Sequence, residues 1–129
     1  METYYFSTTL DAGMDEARQQ VVDALQKKGF GVLTEINVAA TLKKKLDVDF
    51  RPYVILGACN PGFAHQALLA EDKIGTMLPC NVILQDAGNG RTEVAAVDPM
   101  ASMQAIENET LGTVASQVRE MLKSVIDAL

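Results

Sequence analysis

Two kinds of apolar pattern alternate along the chain. One is a short run rich in β-branched and aromatic residues, which marks a strand. The other sets apolar residues three or four positions apart, which marks a helix. "TYYFSTTL" (Thr3 to Leu10) is of the first kind. Met14, Ala17, Val21, Ala24 and Leu25 are of the second and predict a helix from Asp11 to Lys28. Asp11 offers a carboxylate as its N-cap, Asp15 and Glu16 add negative charge in the first turn, and Lys27, Lys28 and Gly29 suit its end. "FGVLTEI" (Phe30 to Ile36) predicts a second strand. Asn37 then caps a short helix that turns Val38, Leu42 and Leu46 inward and leaves Lys43, Lys44 and Lys45 outside. "YVILGA" (Tyr53 to Ala58) is a continuous apolar run, a strand covered on at least one face. Pro61 fits the first turn of another helix, whose apolar side is Phe63, Ala64, Ala67 and Leu68.

"CNVILQ" and "TEVAAV" flank "DAGNGR", the pattern of a hairpin closed by a Gly-Asn-Gly loop. Asp98-Pro99 ends the second of these strands, and Met100 to Glu109 holds one or two helical turns. Thr110 is placed to cap the last helix. There Leu111, Val114, Ala115, Val118, Met121, Leu122, Val125, Ile126 and Leu129 form one wide stripe, the strongest periodic signal in the chain. The order is β-α-β-(α)-β-α-β-β-α. Its hairpin requires antiparallel pairing, so the expected fold is α+β, an antiparallel sheet with helices mainly on one face. A doubly wound nucleotide fold is disfavoured, because "TTLDAGMDEA" after the first strand has no Gly-rich phosphate loop.

The chain has 129 residues, 48% of them hydrophobic and 22% charged, which argues for a single globular domain over 1–129. Eleven basic against seventeen acidic residues give a net charge of −6. Phosphate binding needs clustered Lys and Arg, so nucleic acid is not an expected partner. No apolar run reaches membrane-spanning length, so no membrane partner is expected either. "METYYFSTTLDAG" lacks the basic start and apolar stretch of a signal peptide. With two cysteines only, the expectation is a cytoplasmic protein with free thiols.

Chemistry concentrates between Leu56 and Val82, which hold both cysteines, the one histidine and two of the four prolines. Cys59 should end one strand and Cys80 begin the next. If those strands are antiparallel neighbours, the sulfurs lie at the same end of the sheet; if parallel, at opposite ends. The plain reading is two small buried hydrophobes. The sharper one is a thiol-dependent redox or soft-metal site using Cys59 and Cys80, with His65 as base or third ligand. Three ligands fall short of a closed zinc site, and no cofactor is implied. Asn60-Pro61 and Pro79-Cys80-Asn81 are turn chemistry that either shapes two junctions or lines a pocket. The catalytic set is incomplete, so the leading expectation is a dimeric module that binds a small ligand or a protein partner beside these loops. Helices on one side only also leave one apolar sheet face hard to protect, which points to a homodimer.

"LGACNPGFAHQALLAEDKIGTMLPCNVIL", with "VAATLKKKLDVDF" before it and "AAVDPMASM" after, resembles the family called domain of unknown function 302. The likeness covers nearly the whole chain. It implies a fold similar to the TATA-binding-protein-like arrangement, an antiparallel sheet with two principal helices, and homodimeric members. The family's signature positions carry onto Lys45, Cys59, Asn60, Pro61, Ala64, Pro79, Cys80 and Asn81. The resemblance brings no activity with it.

Overall fold

The computed structural model describes residues 3–129; the first two residues of the N-terminal stretch read for a leader lie outside them. The chain runs β1 (Tyr5–Leu10), α1 (Met14–Lys27), β2 (Gly31–Asn37), α2 (Val38–Leu46), β3 (Tyr53–Cys59), α3 (Pro61–Ala70), a 3-10 turn (Asp72–Met77), β4 (Cys80–Gly88), β5 (Arg91–Val97), α4 (Pro99–Ser102) and α5 (Glu109–Asp127). The strands form one sheet in the order β1-β5-β4-β3-β2, and every pairing is antiparallel. The expected α+β architecture is therefore the one observed.

One face of the sheet carries Leu56, Val82, Leu84, Val94 and Ala96, all fully buried. Against them pack Ala17, Val21 and Leu25 of α1 and the stripe of α5, in a single core. Of the nine stripe residues, Met121 and Leu129 are only half-buried. The hairpin turns at Asn89 and Gly90, both at positive φ, as a two-residue loop with the sheet's own twist requires. Gly29 ends α1 at φ 82°, a conformation that favours glycine. No helix among the described residues is long and apolar enough to cross a membrane.

Three local expectations fail, two of them for a tertiary reason. Asp11 does not cap α1, whose N-cap is Gly13 without a side-chain bond. The preceding Ala12 is buried, and its carbonyl accepts a 2.8 Å bond from buried Thr92 of β5, which holds the chain in a turn before the helix starts. Thr110 does not cap α5. Asn108 does, accepting from the Leu111 N–H while its amide donates to the Ala70 carbonyl, so one side chain starts α5 and ties down the end of α3. Leu46 does not turn inward: it is 65% exposed, and α2 buries no residue. Asn37 does cap α2, through a bond from the Ala40 N–H.

Candidate functional site

Ala58 pairs with Cys80 in the β3–β4 ladder, so Cys59 and Cys80 stand at neighbouring positions at the same end of the sheet. Antiparallel pairing makes this so, and both thiols are free. Both also line one cavity of about 40 Å³. The β3 and β4 ends form its floor, Phe63, Ala64 and Ala67 of α3 its cover, and the first half of α5 its back wall, with Met103 at one side.

Local sequence explains the cover. Pro61 sits in the first turn of α3, and Asn60 accepts a 3.3 Å bond from the Phe63 N–H. The Asn60 amide also packs where Gly29 has no side chain, since a Cβ there would stand 3.0 Å from Nδ2. Across the junction Leu78-Pro79 is a cis peptide. Pro79 closes over Gly57 so tightly that a Cβ on Gly57 would meet Pro79 Cγ at 2.6 Å and collide with Thr34 Oγ1.

No charged side chain lines the cavity, and the oxygen of Asn60, its one amide, is already engaged as a cap. Burial, and secondarily the neighbouring Cys59, push the Cys80 thiol up to about 11. Cys80 is thus a neutral thiol at physiological pH, a poor nucleophile and a reluctant metal ligand.

The structure divides the remaining candidates. Cys59, Asn60, Pro79 and Cys80 line the cavity together, as does Ala64. Pro61 is exposed in the first turn of α3, and Lys45 is exposed on α2. His65 is exposed on α3 and does not join the thiols at the cavity wall. Among the described residues no group of three His, Cys, Asp or Glu comes together as a metal site. Asn81 points to the other face of the sheet, into a separate groove of about 340 Å³ bounded by Tyr4, Tyr5, Tyr53, Gln85 and Glu93. The sequence points to an unprotected apolar sheet face but not to the polar residues that bound this groove. The available signal was Asn81, Ile83 and Gln85 alternating with the buried residues of β4. Sequence reasoning also missed the contribution of α5 to the cavity, although the unusual width of its stripe was visible.

The fold is that of a small α+β protein, an antiparallel sheet covered by helices on one face with a thiol-flanked apolar cavity at one end. The sequence profile of the family described as Domain of unknown function DUF302 matches residues 6–129, and the chain belongs to that family. The chain is similar to a solved structure, an uncharacterized conserved protein DUF302 from Bacillus stearothermophilus. The two share 28% identity over 98% of each chain, with a TM-score of 0.89. None of the curated proteins compared with the chain matches it.

Proposed function

We propose that the chain is a homodimeric cytoplasmic module that takes a small apolar ligand into the cavity behind Cys59 and Cys80. The observation that carries the ligand reading is the chemistry of the cavity wall: hydrocarbon, two thiols, one thioether and one amide whose oxygen caps α3, with no charge. An anionic or cationic ligand would enter unpaired, at a cost of several kcal/mol. The cavity's 40 Å³ is far below the roughly 300–1,000 Å³ of sites for drug-sized ligands. As it stands it suits a few heavy atoms, and anything larger requires α3 to move. That helix buries only Ala67 fully, so it is the least anchored wall.

Xenon is the fitting probe, because apolar cavities stay dry and accept it. Titration followed by NMR should shift the methyl signals of Ala58, Ala64 and Ala67 saturably, and Ala64→Leu, which fills the space, should abolish the shifts. Shifts that never saturate, or that survive Ala64→Leu, would reject the reading.

A second reading is favoured by the placement of the thiols at one end of the sheet: a reversible disulfide. Two thiols would lose two protons and two electrons to an oxidant such as diamide. Loss of both titratable thiols in a chain that is not cross-linked to a second copy supports it, and persistence of the Cys80 thiol rejects it.

A further inference from the structure

The second face of the sheet has a distinct layout. Its middle row runs Ile36, Ile55, Ile83, Ala95 and Ser7 across the five strands, apolar but for the edge. The row on one side runs Tyr53, Gln85, Glu93 and Thr9. There Arg51 Nε donates to Gln85 Oε1 at 2.7 Å, and Gln85 Nε2 donates to Glu93 Oε1 at 2.8 Å. One carboxylate oxygen of half-buried Glu93 and the terminal nitrogens of Arg51 make no side-chain hydrogen bond or ion pair among the described residues. With strands about 4.8 Å apart and about 3.4 Å per residue, this face measures roughly 24 by 17 Å. That is the scale of the patches that mark contact surfaces.

We propose that this face is a self-interface in which a two-fold axis runs along β4, so that Arg51 and Tyr53 of each copy meet Glu93 of the other. This rests on the homodimer reading above and specifies its geometry. Two face-to-face arrangements are the natural ones. With the axis along the strands, β3 of one copy lies over β5 of the other, and rows stay in register. Tyr53 then lies over Glu93 twice, with the Arg51 guanidinium drawn into the same row by its bond to Gln85 and so brought to that carboxylate, Ile83 meets Ile83, and Ile55 fills the space above small Ala95. With the axis across the strands, β5 lies over β5 in the opposite sense, which sets the Glu93 carboxylate on Val97 and leaves it unpaired. The first arrangement satisfies charge and packs large on small; the second buries a lone charge. Aligned packing of twisted sheets tolerates the first without distortion.

Glu93→Arg and Arg51→Glu test this register. Each homodimer would carry two like-charge contacts, and its dissociation constant should rise about 100-fold or more. In an equimolar mixture, every contact between the two variants is again Arg on Glu. Sedimentation should therefore give monomers for each variant alone and a heterodimer for the mixture. A monomeric wild type overturns the homodimer reading itself. A dimeric wild type whose variants stay dimeric, or whose monomeric variants fail to pair, overturns this register alone. Circular dichroism reports folding of each variant. Should either unfold, Ile83→Lys, which sets two ammonium groups on the axis, replaces it: a monomer supports the interface, and an unchanged dimer removes it.

Discussion

Leu84 and Ile83 are neighbours on β4. Leu84 is fully buried between the sheet and the two long helices, while Ile83 is half-buried on the floor of an open groove. The same contrast repeats along every central strand: Leu56 against Ile55, Val94 against Ala95, Cys80 against Asn81. One face is closed by α1 and α5 with side chains that are apolar but for Thr92 and the Cys80 thiol. The other keeps an apolar centre but adds Arg51, Gln85 and Glu93 in a bonded chain. A face meant for permanent solvent has no need of Ile36, Ile55 and Ile83 in one row, and a face meant for a core has no use for Glu93. The mixture fits the proposed self-interface, apolar at the centre and polar at the rim.

The largest expected effect comes from breaking the closed face. Leu84→Ala should destabilise the fold by about 2–5 kcal/mol, through lost transfer energy and the cavity left behind. Ile83→Ala, one residue away, should cost the isolated chain less than about 1 kcal/mol, because its side chain is already partly wet. Denaturant melts of both, at a concentration where the protein is monomeric, measure the difference. Equal losses would mean that the two faces are equally buried.

Next in size is the alkaline limb set by Cys80. Its folded value of about 11 lies above the ordinary 9.0, so between these values the folded state holds a proton that the unfolded state has released. The associated stability is complete below about pH 9 and lost as pH rises towards 11, a total of about 2–3 kcal/mol. Cys80→Ala should lower stability at neutral pH by about 1–3 kcal/mol and flatten this limb relative to wild type. If both proteins lose stability in parallel from pH 9 to 11, Cys80 is not desolvated as described.

Much of this is legible in the sequence, and the divide is physical. The stripe of α5 and the Asn-Gly hairpin depend on residues close in sequence, and both appear where the pattern puts them. So do the Asn37 cap and the Gly29 terminus. The caps of α1 and α5 differ from the local pattern because their deciding partners are distant: Thr92 reaches back to Ala12, and Asn108 to Ala70. The candidate site was half legible. Strand pairing brought Cys59 and Cys80 together, and local turn chemistry brought Asn60 and Pro79 with them. The period-two alternation of β4 sent Asn81 to the opposite face, and nothing local signalled that Arg51 would meet Gln85 34 positions away.

The central claim is that the open face is covered by a second copy, and sedimentation velocity of wild type beside Ile83→Glu at micromolar concentration tests it most directly. The account predicts a wild type at twice the mass of one chain and an Ile83→Glu variant at one chain's mass, with the same circular dichroism. A single mass shared by both proteins would contradict it.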